Sequence, residues 1–283
     1  MSDADPEALA AQQLSAEELR ALHRSPDPLV LLNAWDVASA RVFARAGASA
    51  IATTSAGIAA ALGYPDGQQI TVTEMASMIK RIARAVDLPV TADLEAGYGD
   101  SAEAAGRSAT VALQAGAVGV NIEDTTDSQP GPLLDTERQS QKIEAVRAAG
   151  VEFGVALVIN ARTDIFLAQV GEPKDRVEHT ASRASAYLGA GADCIFVPGV
   201  SDRETIAQLV EAIGGPVNVL AGADTPSVRE LRELGVARVS VGSGPMRATL
   251  ALAGRIAEEL LRHGTYGAFK DALPYPDLLE LLR

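Results

Sequence analysis

Short apolar runs and longer helix-like stretches alternate along most of the chain. Eight runs rich in β-branched residues have the pattern of buried parallel strands. Between them, apolar residues recur every three to four positions, which is typical of helices that cover a sheet. The predicted strands are 29–35, 50–55, 89–93, 119–123, 155–162, 193–198, 216–221 and 237–242. The predicted helices include 73–86, 101–115, 135–149, 175–189, 202–213, 225–234 and 246–263.

The residues at the helix starts support this alternation. A side chain that can cap a helix precedes several of the predicted helices, and Ser15-Ala-Glu-Glu18 has the capping-box pattern, which predicts a short helix after Ser15. Eight strands that alternate with helices predict a closed (β/α)₈ barrel, with a doubly wound open sheet as the alternative. The predicted caps are Thr73, Ser101, Asp135, Asp202 and Thr225.

No low-complexity linker divides the chain, so the pattern predicts one domain. Residues 1–28 form an N-terminal extension, residues 29–263 form the barrel, and residues 264–283 form a helical tail. The tail carries Tyr266, Phe269, Leu273 and Tyr275. It is too apolar to remain in water, so we expect it to pack on another surface, for which a second subunit is a candidate.

Composition narrows the class of protein. The chain has 283 residues, 47% of them hydrophobic, with a formal net charge of −13 and no run of Lys or Arg that would bind nucleic acid. No apolar stretch approaches the roughly 20 residues of a membrane helix, and the start of the chain lacks the pattern of a secretion signal. A single cysteine, Cys194, excludes an internal disulfide and is expected to lie in the core. We therefore predict a cytoplasmic protein.

Three carboxylates stand where predicted strands end. Asp93 and Glu95 follow the third strand and share one face, while Glu123 ends the fourth. Three acids at one strand edge repel each other unless a cation lies among them, and oxygen ligands suit Mg²⁺, with Mn²⁺ as the alternative. The competing interpretation is that Asp93 caps a turn and Glu95 pairs with Arg162.

Other strand ends add candidate binding groups. Arg162 ends the fifth strand, where its guanidinium could stabilise an enolate or instead pair with Glu123 or Asp124. The short segment at Ser55 could hold an anion through its backbone N–H groups, or be an ordinary turn. Trp35 is the sole tryptophan and suits a core or a pocket wall.

Several of these segments together resemble one superfamily. The chain is similar to the isocitrate lyase / phosphoenolpyruvate mutase superfamily, in order over residues 29–242. The resemblance implies a (β/α)₈ barrel whose terminal helix is exchanged in homodimers or homotetramers. It also implies Mg²⁺, which holds an α-keto or 2-hydroxy carboxylate while a C–C or P–C bond is made or broken. The matching segments are Asn33-Ala-Trp-Asp36, Thr54-Ser-Ala-Gly57, Asp93-Leu-Glu-Ala-Gly-Tyr-Gly99, Ile122-Glu-Asp124 and Asn160-Ala-Arg-Thr-Asp164.

The resemblance also assigns roles to single residues. Asp93 resembles a direct metal ligand that also contacts substrate, and the catalytic residues are expected to be Arg162 and Glu123. Asp66, by composition a turn aspartate exposed to solvent, resembles a water-mediated ligand like Glu95 and Glu123. The substrate carboxylate is expected at Ser55, Ala56 and Gly57, with Trp35 as a pocket wall.

One loop departs from the superfamily pattern. Residues 125–132, expected to close over the site, lack the Cys and His of the lyases and the Lys of the mutases, and offer Ser128 and Gln129 instead. Pro198 stands where some members have a His. Three functions follow: a Mg²⁺-dependent C–C lyase, a phosphonate enzyme of the mutase or phosphonopyruvate hydrolase type, or a non-catalytic keto-acid-binding protein.

Overall fold

Eight parallel strands close into a barrel in the computed structural model, which describes residues 6–125 and 133–283. Each strand pairs with the next along the chain, and the eighth pairs with the first. The predicted (β/α)₈ barrel is confirmed, and the open sheet is excluded. The strands are β1 Leu29–Ala34, β2 Ile51–Thr53, β3 Val90–Asp93, β4 Gly119–Glu123, β5 Val158–Arg162, β6 Cys194–Val197, β7 Val217–Leu220 and β8 Arg238–Ser240.

Helices follow every strand and surround the barrel. Their inner faces and the outer faces of the strands form one large apolar core and one smaller cluster. Of the described helices, none is long and apolar enough to cross a lipid bilayer. The α-helices are α1 Pro6–Leu22, α2 Val37–Arg45, α3 Ser55–Leu62, α4 Val72–Ala83, α5 Ala102–Gln114, α6 Thr136–Phe153, α7 Arg176–Gly189, α8 Arg203–Ile213, α9 Val228–Glu233, α10 Gly244–His263 and α11 Tyr275–Leu281.

The predicted helix starts are partly confirmed. The two wrong ones each lie two residues from a capping box, in which a Ser or Thr and a Glu three residues later satisfy each other's backbone N–H groups. The reciprocal pair fixes the start more strongly than a lone hydroxyl can. Ser101, Asp135 and Asp202 are confirmed caps, whereas Thr71 and Ser227 replace Thr73 and Thr225.

Helix α1 packs beneath the barrel, at the N-terminal ends of the strands. It starts at Pro6 and continues through Ser15, so the predicted helix start at Ser15 is wrong. The buried side chains of Ala16 and Leu19 join the main core, and Gln12 Nε2 donates to the carbonyls that precede β4. Helix propensity upstream and this burial outweigh the local capping signal.

The inside of the barrel is polar, unlike the layer outside it. Asn160 Nδ2 donates to Asn121 Oδ1 at 2.9 Å across the β4–β5 ladder. Asn33 Oδ1 accepts from the backbone N–H groups of Val241 and Gly242, both at 2.9 Å, and so joins the first strand to the end of the last. Hydrogen-bonded amides thus fix the strands that hold the site above them.

Helix α10 lies largely in solvent. Met246 is its only buried residue, and Leu261 is 87% exposed. Its main described contacts are with the short 3₁₀ turn Gly267–Phe269 of the tail. Helix α11 returns to α2, where Arg41 Nη1 donates to the carbonyl of Leu281 at 2.8 Å.

Candidate active site

A cavity of about 230 Å³ opens at the C-terminal ends of the strands. It is lined by Ser55, Ala56, Asp66, Asp93 and Arg162, so the fold brings five predicted site residues around one space. The other predicted residues lie behind this lining. They are Trp35, Gly57, Glu95 and Glu123.

The carboxylate of Asp93 is anchored on both oxygens. Its Oδ2 accepts from the Ser55 backbone N–H at 3.0 Å, and its Oδ1 accepts from Asn121 Nδ2 at 2.9 Å. Oδ1 also accepts from the Glu95 backbone N–H at 3.4 Å, so Oδ2 is the oxygen that retains a lone pair for a further partner. Asp93 is half-buried, so its carboxylate is fixed in direction while it still faces the cavity.

Glu95 ties two loops together behind Asp93. It is 4% exposed, and its Oε2 accepts from the backbone N–H groups of Gly67 and Gln68 at 3.0 and 2.5 Å. Tyr98 Oη donates to Oε1 at 3.3 Å. The alternative pairing of Glu95 with Arg162 is therefore not the arrangement found. Glu95 instead fixes the turn that carries Asp66.

Backbone strain concentrates at this junction. Gln68, Glu95 and Tyr98 have φ values of 57°, 50° and 55°, in the left-handed region that disfavours residues other than glycine. The Tyr98 backbone N–H donates to Gln68 Oε1 at 2.5 Å, which connects two of these three residues directly. Non-glycine residues in such conformations cluster at functional sites, where the surrounding contacts hold them.

The acids around the cavity repel one another. Burial raises the pKa of Glu95 to about 8, with Asp93, Asp66 and Glu123 adding to the rise and the Gln68 N–H opposing it. Burial and then Asp93 also raise the pKa of Asp66. Burial raises the pKa of Glu123, against which Arg162 acts. The site therefore gains from added positive charge.

Arg162 is held by two acids and an aromatic ring. Its Nη1 lies 2.6 Å from Glu123 Oε2, while Nε and Nη2 bind the two oxygens of Asp164 at 2.6 and 2.7 Å. The guanidinium carbon lies 5.9 Å from the centroid of Phe196. The predicted pairing with Glu123 is thus found, yet Arg162 also lines the cavity. Pairing with the two acids therefore does not remove Arg162 from the cavity wall.

Asp124 serves a different network. It is fully buried, and its Oδ2 lies 3.0 Å from Arg183 Nη1 and accepts from Tyr187 Oη at 2.8 Å. Its Oδ1 accepts from the backbone N–H of Asp164 at 3.0 Å. Asp124 therefore positions the residue that grips Arg162, and it is not the partner of Arg162 itself.

The predicted substrate segment is the first turn of α3. Thr54 caps this helix by accepting from the Gly57 N–H, and Ser55 and Ala56 face the cavity. A helix N-terminus favours an anion. A Cβ on Gly57 would lie 2.5 Å from Thr54 Cγ2 and 2.9 Å from Trp35 Cβ, so the position requires glycine. Trp35 supports this turn from behind, and its role as a pocket wall stays a prediction.

The sequence interpretation missed three residues of the site. Asn121 lies two residues before Glu123 and Asp164 two after Arg162, so the period of two along a strand could have found them. Arg238 also lines the cavity from β8. Its signal was a charged residue inside an otherwise apolar run.

Comparison with known proteins now gives the family. The family model described as phosphoenolpyruvate phosphomutase matches residues 19–261. The chain belongs to the phosphoenolpyruvate phosphomutase family. A crystal structure of a Burkholderia cenocepacia J2315 protein assigned as a lyase/mutase is 37% identical, with a TM-score of 0.89 and 96% of each chain covered.

Two further relatives of this phosphoenolpyruvate phosphomutase family member carry lyase names. The 2-methylisocitrate lyase of Bacillus subtilis (strain 168) is 30% identical over 90% of this chain and 85% of its own. The crystal structure of 2,3-dimethylmalate lyase, a PEP mutase/isocitrate lyase superfamily member, is 29% identical with a TM-score of 0.82 and 94% of each chain covered. The predicted superfamily is confirmed, and it is one of C–C lyases and mutases.

The convergence of three carboxylates on one cation, expected from strand geometry, is not found. In residues 6–125 and 133–283, no group of three His, Cys, Asp or Glu side chains is placed to hold a metal ion. Glu95 turns to backbone N–H groups and Glu123 to Arg162, which leaves Asp93 and Asp66 as the predicted carboxylates that line the cavity. The mutual repulsion of the acids still fits a hydrated divalent cation bound at Asp93.

Loop 125–132 lies outside the described residues except at its start. Thr125 Oγ1 donates to Glu123 Oε1 at 2.5 Å, so the first loop residue adjoins the site. The predicted roles of Ser128 and Gln129 fall in the remainder and stay predictions. Pro198 lines the cavity at the position where a histidine was expected in some relatives.

Proposed function

We propose that this chain is a Mg²⁺-dependent lyase that cleaves a C–C bond in a small α-keto or 2-hydroxy carboxylate through an enolate. The observation that carries the proposal is the pair formed by Asp93 and Arg162 on the wall of one cavity. An anchored acid and a fixed guanidinium there can bind a cation and an oxyanion side by side. The lyase names of the relatives support the same class of reaction.

Each group of the site has a task in this proposal. Asp93 would hold the metal directly, with Asp66, Glu95 and Glu123 reaching it through water. Mg²⁺, or Mn²⁺ in its place, would supply a Lewis acid for the developing enolate. The first turn of α3 binds the substrate carboxylate, and the guanidinium of Arg162 lies in the plane set by Asp164 to stabilise the enolate oxygen.

The proton donor is not the single cysteine. Cys194 is fully buried on β6, and burial raises the pKa of its thiol to about 12. A thiol of that kind neither reaches solvent nor ionises near neutral pH. A group of loop 125–132 or a metal-bound water is therefore the candidate donor of this proposal.

Two other functions remain as candidates. A phosphonate enzyme needs additional cations, and Arg238 in the cavity wall favours it more than the loop sequence did. A non-catalytic keto-acid-binding protein would keep the same groups without turnover. A panel of 2-keto, 2-hydroxy and phosphono acids, assayed for bond cleavage with Mg²⁺, separates the three.

The test of the metal site is Asp93→Asn. We expect it to abolish Mg²⁺ binding in calorimetric titration with pyruvate or 2-oxoglutarate present, because a neutral amide is a poor ligand for a hard cation. Asn keeps the size of Asp, whereas Asp93→Ala would leave the Ser55 N–H and the Asn121 amide unpaired and cost about 1–3 kcal/mol. Asp202→Asn, at an exposed helix cap, is the matched control. Unchanged Mg²⁺ affinity in Asp93→Asn would refute the metal assignment.

We further propose that the chain forms a homodimer or homotetramer by exchanging its C-terminal helices. The support is the exposure of α10, with Leu250 and Leu252 in solvent, together with the exposed Val30 on the outer face of β1. A neighbour's helix laid on these apolar surfaces would remove both from water. The cytoplasmic location stays a prediction from the sequence, to be tested by cell fractionation.

A further inference from the structure

Arg238 occupies the inside of the barrel below the candidate metal site. It is the first residue of β8, is 2% exposed, and lines the same cavity as Asp93 and Arg162. Ser240 and Gly242, two and four residues further along, continue this lining upward. Arg238 therefore reaches the cavity from its floor, opposite the strand ends.

The guanidinium of Arg238 has no acidic partner among the described residues. Its Nε is buried without a hydrogen bond, and its Nη1 lies 3.5 Å from His23 Nε2. Two half-buried arginines near the cavity each pair with an acid: Arg162 with Glu123, and Arg183 with Asp124. Arg238 is more deeply buried than either of these arginines and forms no ion pair with an acid of residues 6–125 and 133–283.

A buried and unpaired cation is costly. Burial lowers the pKa of Arg238 to about 10, although Cys194 and Asp93 act in the opposite direction. His23 offers a neutral nitrogen and no charge, because its Nδ1 bonds the Leu19 carbonyl at 2.8 Å and leaves Nε2 as the acceptor. His23 thus contacts the guanidinium of Arg238 without neutralising its positive charge.

A second buried donor lies beside it. Asn218 is the ladder partner of Arg238 on β7, and its Nδ2 is buried without a hydrogen bond. Its Oδ1 accepts from Ser240 Oγ at 3.1 Å, which directs the amide nitrogen elsewhere. Two unsatisfied donors, one of them charged, on adjacent strands suit an anion better than a cation or an apolar group.

We propose that Arg238 binds the terminal carboxylate of a dicarboxylate substrate at the floor of the cavity. This inference rests on the proposed function, because it takes the reacting carboxylate to lie at the first turn of α3 and Asp93. The substrate then spans the cavity from that turn to Arg238. Arg238 becomes the residue that selects a 2-hydroxy or 2-keto acid with a second negative end.

The first test compares three ligands that share a 2-hydroxy acid. Malate, its 4-methyl ester and lactate are titrated into the wild-type protein with saturating Mg²⁺. We expect malate to bind about tenfold or more tighter than the ester and lactate, since only malate offers the floor a charged group. Equal affinities, or no binding of any of the three, would overturn the inference.

The second test removes the cation. In Arg238→Gln, malate affinity should fall about tenfold or more, to that of the ester, while lactate stays within about twofold of wild type. Retained lactate binding shows that the site is folded. Arg229→Gln, an exposed arginine of α9 with the same change of charge, should alter none of the three. A malate preference that survives in Arg238→Gln contradicts the proposal.

Two further measurements keep the proposal testable. If Arg238→Gln does not fold, the crystal structure of the wild-type malate complex decides: the 4-carboxylate within about 3.2 Å of the guanidinium supports the proposal, and any other position overturns it. If 2-hydroxy-3-phosphonopropanoate binds more than tenfold tighter than malate, the carboxylate assignment is overturned in favour of a phosphonate.

These outcomes are distinct from those of the lyase proposal. All of them are equilibrium binding measurements and need no turnover. If the protein binds malate through Arg238 but cleaves none of the acids, the lyase proposal is refuted and the proposed carboxylate site at Arg238 is kept. If the protein cleaves a monocarboxylate and shows no preference for malate, the carboxylate site at Arg238 is refuted and the lyase proposal is kept.

Discussion

The planar pairing of Arg162 with its two acids allows an experiment to separate a structural role from the proposed enolate-stabilising role. Asp164 holds one edge of the guanidinium through two bonds, and Glu123 binds Nη1. In Arg162→Lys the charge remains but the fork is lost, so we expect kcat to fall by about two orders of magnitude and KM to change less, once a substrate is in hand.

The matched control for that variant is Arg183→Lys. Arg183 also pairs with a buried strand-end acid, Asp124, but does not line the cavity. It should lose stability without the same loss of kcat. Near wild-type kcat in Arg162→Lys would make Arg162 a structural partner of Glu123 and leave the enolate to the metal.

Substitution of the single cysteine is expected to leave turnover nearly unchanged, unlike substitution of Arg162. Cys194 is fully buried, and its high thiol pKa comes from that burial. Cys194→Ser should therefore keep turnover within a few-fold of wild type and lower the melting temperature modestly, because a hydroxyl replaces a soft apolar sulfur. Steady-state kinetics beside a thermal melt checks this. A large loss of kcat in a folded Cys194→Ser protein would place the proton donor on β6.

At the scale of residues, the ends of the apolar runs predicted the positions of the site residues. Asp93, Glu123 and Arg162 were expected at the rim because each ends an apolar run, and the fold places all three there. The contacts of Glu95 could not be predicted, because its bond to Gly67 joins loops whose approach depends on the closed barrel.

Among the elements, α1 connects the base of the barrel to its interior. Arg20 of this helix binds Asp193 at 3.0 Å, and Arg147 of α6 lies 2.5 Å from the same acid. His23 lies four residues after Leu19, contacts the Leu19 carbonyl through Nδ1, and reaches Arg238 from below through Nε2. The start of α1 could not be predicted from Ser15, because burial of one helix face, which no local motif encodes, sets its length.

The buried position of His23 gives the protein an acid sensitivity. Burial and then Arg238 lower its pKa from 6.5 to about 4, against the Leu19 carbonyl and Asp193, which raise it. Between these values the unfolded chain binds a proton that the folded chain excludes. The free energy of unfolding therefore falls as the pH drops from 6.5 towards 4, and His23 causes no such loss above pH 6.5.

His23→Gln should remove this part of the acid sensitivity. Urea unfolding at pH 7.5 and pH 5 should show wild type losing about 2 kcal/mol more than the variant between the two conditions. His263→Gln, at an exposed histidine of α10, should behave as wild type. Equal losses in wild type and His23→Gln would mean that another group titrates.

For the whole molecule, the tail raises the question of assembly. Its aromatic residues Tyr266 and Tyr275 are exposed, although α11 returns to α2 of the same chain. Deleting residues 264–283 should lower the oligomeric state in analytical ultracentrifugation, because apolar surface of this kind contributes about 25 cal/mol per Å² when buried.

A substitution control separates the loss of surface from the loss of chain. Tyr266→Ser with Tyr275→Ser keeps the tail but removes its aromatic surface, and should weaken assembly in the same direction. An unchanged assembly after the deletion would show that the tail serves only its own barrel.

The barrel was the most predictable level of the molecule. Eight alternating runs leave few other topologies, because parallel strands need helices on their outer face and consecutive ones become neighbours. The polar barrel interior was not predictable in the same way. Asn160 and Asn218 stand in runs that otherwise have the pattern of fully buried strands. Only the closed barrel brings them against their partners, Asn121 and Ser240.

The left-handed backbone of Gln68, Glu95 and Tyr98 sets stability against function. A non-glycine residue in that conformation costs about 1–2 kcal/mol, so replacement of Gln68 by glycine would relieve the backbone. It would also remove the amide that binds the Tyr98 N–H. Selection of variants for thermal stability alone would therefore favour substitutions that relieve this backbone and weaken the contacts that hold Glu95 and the turn of Asp66 beside the cavity.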